Sequence, residues 1–204
     1  MGIRAIVFDI GGVLEINPEM DCGPRWELKL GLPAGALGEG LADVWAAGAI
    51  GTMTEEQVLR AIADRTGLTR AHVDAMMADM WVQYVGVANP DAIEYARGLR
   101  ARYRTGILSN SFVGAREREQ AAFGFEELVD EIVYSNEVGM SKPDPRIYQL
   151  ICTRLAVRPE ETIFLDDNQP MVDGARAIGM HAIHYRDHAN AIAELEALLT
   201  GARG

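Results

Sequence analysis

The chain has 204 residues, of which 49% are hydrophobic and 24% charged, and its formal net charge is -11 at pH 7. That length fits one substantial domain, or one domain carrying a small inserted module, and the apolar content excludes a disordered chain. The acidic balance excludes a nucleic-acid partner, because phosphate backbones are held by clustered Lys and Arg.

The first apolar run, Ile3 to Phe8, reads as a strand buried on both faces that stops in the glycine turn Asp9-Ile10-Gly11-Gly12. The run is too short for a signal peptide or a membrane span, so no membrane association and a cytoplasmic location are predicted. From Glu15 to Val87 the pattern is helical, with Ala42, Val44 and Trp45, then Val58, Leu59 and Ile62, then Val73, Met76, Met77, Met80 and Trp81. No strand is predicted there, and Thr54-Glu55-Glu56-Gln57 reads as a capping box. Cys22 and Cys152 lie far apart with no CxxC or Cys/His spacing, which excludes a disulfide framework or a zinc site.

Beyond residue 90, strand and helix alternate. Strands are predicted at Thr105 to Leu108, Glu131 to Tyr134, Thr162 to Leu165 and Ala182 to Tyr185. Helices are predicted at Pro90 to Arg102, Ala115 to Phe123, Arg146 to Leu155 and Pro170 to Ile178. This order predicts an α/β fold, a Rossmann-like parallel sheet flanked by helices, with a small helical cap inserted after the first strand. The core is assigned to residues 1–15 and 88–204 and the cap to residues 16–87.

Ligands of an open parallel sheet bind beyond the carboxyl ends of its strands. Those ends carry Asp9 with Gly11 and Gly12, Ser109-Asn110-Ser111, Ser141-Lys142-Pro143 and Asp166-Asp167-Asn168. Three carboxylates at one rim repel one another, which raises their pKa values or demands a cation. Oxygen-only donors suit a hard ion, Mg²⁺. A phosphate would complete the coordination, with Lys142 and the glycine-turn N–H groups neutralising its remaining charge. Asp9 is then placed to attack phosphorus.

The motifs resemble those of the haloacid dehalogenase (HAD) superfamily. FDIGGVL is similar to its first motif, LSNS to its second, VGMSKPDPRIY to its third and FLDDN to its fourth. The resemblance covers essentially the whole chain. It looks closest to the subgroup that includes the bacterial glucose-1-phosphate phosphatase and the phosphatase domain fused to soluble epoxide hydrolases. It implies a Mg²⁺-dependent phosphatase-type hydrolase acting on a small phosphorylated metabolite, sugar phosphates first, through an aspartyl-phosphate intermediate. Asp9 and Lys142 would be catalytic, and Gly11, Gly12, Ser109, Asn110 and Lys142 would bind the phosphoryl group. Asp9, the Gly11 carbonyl, Asp167 and Asp166 would hold the metal, either Asp167 directly and Asp166 mostly through water or the reverse. A monomer or homodimer is expected.

One departure stands out. Most phosphatases of the family carry an aspartate two residues after the nucleophile as general acid and base, and this chain has Gly11 there. Its loss costs on the order of 100- to 10,000-fold in rate unless Glu15 or a cap residue substitutes. Two rivals remain, a 2-haloacid dehalogenase that attacks carbon and a degenerate, non-catalytic phosphate-binding module. Lys29, within WELKLG, reads as an exposed lysine on an amphipathic helix rather than a Schiff base. The four histidines read as surface or packing residues, and the Met76-Met77-Met80-Trp81 stripe reads as cap core.

Overall fold

The computed structural model describes residues 2–201. The first strand, β1 (Ala5–Phe8), carries four buried side chains. They alternate between two cores: Ile6 and Phe8 enter one, Ala5 and Val7 the other. A strand buried on both faces is read from a continuous apolar run, and β1 is the centre of the sheet for that reason.

Beyond the Asp9 turn comes β2 (Glu15–Ile16), followed by α1 (Cys22–Leu30), α2 (Ala42–Ala49), α3 (Glu55–Thr66) and α4 (Arg70–Val85). The capping box at Thr54 is present: Gln57 N donates to Thr54 Oγ1 at 3.3 Å and Thr54 N donates to Gln57 Oε1 at 2.8 Å. The chain returns through β3 (Val87–Ala88) to α5 (Pro90–Leu99), capped by Asn89 with proline in the first turn.

Here the structure corrects the sequence reading, which placed no strand in this region. Glu15 pairs with Ala88 and Ile16 with Val87 in an antiparallel ribbon. Two-residue strands carry no periodicity from which to read them. Helix α5 also stops three residues short of the predicted Arg102, because Arg102 N and Tyr103 N turn back onto the Leu99 carbonyl and start the next strand.

In the remaining elements each strand is followed by one or two helices. They are β4 (Arg104–Ser109), α6 (Ala115–Phe123), α7 (Phe125–Leu128), β5 (Glu131–Tyr134) and the short α8 (Ser135–Val138). Then come α9 (Pro145–Arg154), β6 (Thr162–Asp166), α10 (Gln169–Ala177), β7 (His181–His184) and α11 (His188–Gly201). The five-stranded sheet runs β5-β4-β1-β6-β7, with every pairing parallel. After β5 the chain crosses to the far side of β1, so the order reverses at β1, where the crevice of such sheets opens. No helix among the described residues is long and apolar enough to cross a membrane.

Helices α1 to α4 share a third core around Val58, Ile62, Val73 and Trp81, into which Phe112 and Ala115 also enter. Lys29 lies 3.8 Å above the Trp26 ring on the exposed side of α1. Both cysteines are free and buried.

Gly86 joins α4 to the ribbon with φ 59° and ψ -137°, backbone angles that side-chain-bearing residues avoid. A Cβ there would stand 2.4 Å from the Ile16 carbonyl oxygen. Gly86→Ala is therefore expected to cost about 2 kcal/mol. A thermal melt checks this, and an unchanged melting temperature would contradict it.

Candidate active site

Parallel pairing sets Phe8 beside Ile107 and Leu165, so the residues after β1, β4 and β6 emerge together. Asp9 N donates to the Leu165 carbonyl at 2.9 Å, which seats Asp9 between the two neighbouring strand ends. The Lys142 Nζ lies 2.9 Å from Asp9 Oδ2 and 2.6 Å from Asp166 Oδ2. The lysine and Asp166 side chains are 1% and 0% exposed, and that of Asp9 is 13% exposed. One oxygen from each of Asp9, Asp166 and Asp167 lies within 4.8 Å of the others.

The chain fixes Lys142 from its backbone as well. Lys142 N donates to Asn110 Oδ1 at 2.7 Å, and Asn110 Nδ2 donates to the Lys142 carbonyl at 2.9 Å. The loop after β4 and the loop before α9 are thus locked by both ends of one amide. Asp166 accepts from Asn168 N through Oδ1 at 2.8 Å, so both its oxygens are engaged. Asp167 is exposed toward the cleft, and its carbonyl is 2.8 Å from His184 Nε2.

These residues open into a cleft of about 560 Å³. Asp9, Gly11, Gly12, Ser109, Asn110, Lys142 and Asp167 all line it, while Asp166 stands behind. Gly12 adopts φ +70°, and a Cβ on it would lie 2.2 Å from Asp167 Oδ2, so only glycine lets this carboxylate approach the turn. Lys142 is the single basic side chain lining the cleft among the described residues. Burial pushes the Asp9 carboxyl upward, the Lys142 ammonium pulls it down, and the Asp166 carboxylate adds to the rise. Asp167 is raised by the same two causes, burial and Asp166.

Glu15, named above as a stand-in for the missing acid, lines the cleft, whereas Asn17 and Glu119 escaped the sequence reading. Asn17 fills the space beside Gly11: a Cβ on Gly11 would meet Asn17 Oδ1 at 3.2 Å. That amide donates to Glu15 Oε1 at 3.0 Å and to the Tyr84 carbonyl at 2.5 Å, and accepts from Gly12 N at 3.3 Å. Glu15, buried in the wall, has an Oε2 with no hydrogen-bond partner, and burial pushes its carboxyl up to about 8. Glu119 lines the cleft from α6, where the run AREREQ suggests a solvated face. Its burial comes from β5, whose Tyr134 hydroxyl donates to Glu119 Oε2 at 2.6 Å.

Burial, partly offset by the Tyr134 bond, pushes the Glu119 carboxyl from 4.5 up to about 7. Its folded pKa is the higher one, so its contribution to stability is whole below the unfolded value and fades as pH rises through the folded value. In Glu119→Gln this titration is absent. The unfolding free energy of the variant relative to the parent is expected to climb between pH 5 and pH 8, approaching about 3 kcal/mol at the limit. A gap that stays constant across that range would refute the assignment.

The sequence matches the haloacid dehalogenase-like hydrolase family over residues 3–179. It is 28% identical over 196 residues to (S)-2-haloacid dehalogenase 1 of Pseudomonas sp. (strain CBS-3), covering 89% of this chain and 83% of that protein. It is 24% identical over 209 residues to D-ribitol-5-phosphate phosphatase of Bacteroides thetaiotaomicron, covering 97% and 98%. The fold superposes with a TM-score of 0.75 on a HAD family enzyme of the same organism, solved with magnesium and inorganic phosphate, at 21% identity over 93% of this chain and 98% of that one. Two other curated relatives match 96% of this chain, which spans only 19% and 39% of their length. The matched residues contain every residue that lines the cleft, and the chain belongs to the haloacid dehalogenase-like hydrolase family.

Proposed function

We propose that the cleft hydrolyses a small phosphomonoester in the presence of Mg²⁺, with Asp9 as nucleophile. The observation that carries this reading is the Lys142 ammonium held between Asp9 and Asp166, with Asp167 completing a tight acidic group. Such a group repels a phosphate dianion unless a cation sits in it. Its donors are all oxygens, with no His or Cys among them, which fits a hard divalent ion. Asp9, Asp167 and the Gly11 carbonyl would hold the ion, with Asp166 behind because both its oxygens are engaged. When bound, the metal offsets the phosphate charge and polarises its P–O bonds.

The chain's own residues do the rest. Lys142 balances the charge of the phosphoryl oxygens, and Ser109 and the Asn110 backbone lie on the same rim to orient them. An Asp9 carboxylate oxygen attacks phosphorus and the ester P–O bond breaks, leaving an aspartyl phosphate and an alkoxide that must take up a proton. Gly11 supplies none. Glu15, in the cleft wall with an unpartnered oxygen, is the residue we assign to that transfer. Water then cleaves the acyl phosphate and returns Asp9. The helices of residues 16–87 act as cap over the sheet.

Asp9→Asn is expected to reduce phosphatase turnover to background with an unchanged melting temperature; retained turnover would remove Asp9 from its role. Chloride release from 2-chloropropionate in excess chelator would instead favour the carbon-attacking reaction. Glu15→Gln is expected to lower kcat about 100-fold on an alkyl phosphate. The loss should be much smaller on p-nitrophenyl phosphate, whose leaving group needs no proton. Equal losses on both would rule out proton delivery by Glu15.

A further inference from the structure

A second chamber of about 380 Å³ adjoins the catalytic cleft. Met20, Tyr84 and Asn110 belong to both walls, so the two spaces share a border. The interior is lined by Leu37, Trp45, Met76, Met80 and Phe112 among others, and no Asp, Glu, Lys, Arg or His reaches it among the described residues. Trp45 and Phe112 meet at 5.8 Å between centroids and 51° between planes, forming an aromatic wall.

The polar groups that border this chamber are largely spent within the protein. The Trp45 indole N–H donates to the Leu37 carbonyl at 2.8 Å. Both ends of the Asn110 amide serve Lys142. The Tyr84 hydroxyl donates to Ser111 Oγ at 3.2 Å, and Ser111 N donates to Ser135 Oγ at 2.8 Å. A sugar moiety lodged here would leave its hydroxyls without partners, and a site without matching donors and acceptors selects against them. An apolar group loses nothing there and gains by leaving water.

We propose that the alcohol part of the substrate is apolar, an aromatic or compact hydrocarbon group seated in this chamber while the phosphate lies against Lys142. This deepens the phosphatase reading and rests on it, and it replaces the sugar phosphate put first on sequence grounds. A dry cavity of about 150 Å³ accommodates one benzene, so the chamber takes a group of up to about two rings. Met76 and Met80, flexible thioethers on α4, adapt the wall to irregular shapes. The Met76-Met77-Met80-Trp81 stripe is thereby divided, since Met77 and Trp81 line a different surface pocket.

The test compares primary alkyl phosphates of similar leaving-group chemistry with Mg²⁺ present: benzyl and hexyl phosphate against glycerol 3-phosphate and glucose 6-phosphate. The apolar pair is expected to exceed the polar pair in kcat/KM by about 10-fold or more. Met80→Glu, which places a charge in the chamber, is expected to erase that preference. Ala49→Leu, which only narrows it, is a second variant and should lower the ratio of benzyl to glycerol phosphate efficiency. Turnover of the polar esters equal to or above the apolar ones would overturn the inference while leaving the phosphatase reading intact. A preference that both folded variants leave unchanged would also overturn it. Absence of turnover with every phosphomonoester would overturn the phosphatase reading, and this inference with it.

Discussion

A single buried ammonium between two carboxylates governs the geometry of this protein. Lys142 is all but sealed from solvent, as is Asp166, and neither charge could remain there alone. Three separate chain segments must therefore arrive at the same rim: the end of β1, the loop before α9 and the end of β6. The Asn110 amide adds a fourth by gripping the Lys142 backbone. Of the chain's two lysines, one lies over a tryptophan on the surface and the other sits at this junction.

Around that junction the walls divide into two chemistries. The cleft holds Asp9, Glu15, Glu119 and Asp167 against one cation, an environment that raises carboxyl groups and draws positive charge. The adjoining chamber is built from thioether, indole and phenyl surfaces. A molecule with an anionic end and a hydrocarbon end is matched by both at once. Neither wall alone would orient it, because charge attraction has little directional memory and apolar burial has none.

Much of this was legible in the sequence because each strand is a short apolar run that ends in the residues of the rim. Ile3 to Phe8 followed by Asp9, and Thr162 to Leu165 followed by Asp166 and Asp167, mark both an element and a position in space. What stayed hidden depends on partners distant in the chain. Glu119 sits in a run that looks solvated, and only Tyr134 on another strand shows why it is buried. Asn17 follows the Gly11 turn closely, yet its place beside Gly11 is set by the Tyr84 carbonyl at the end of α4. The ribbon of β2 and β3 exists because two distant dipeptides meet, and neither has a pattern of its own.

The intrusion of Phe112 and Ala115 into the core of α1 to α4 bears on how the molecule comes apart. These two residues belong to the sheet unit by sequence but to the helical layer by packing. Were the helical layer to detach, a phenyl ring and a methyl group would be stripped of their neighbours, and the layer would lose part of its own filling. The two layers are thus coupled in denaturation, and their melting should be cooperative rather than sequential. Large swings of one layer against the other carry the same penalty.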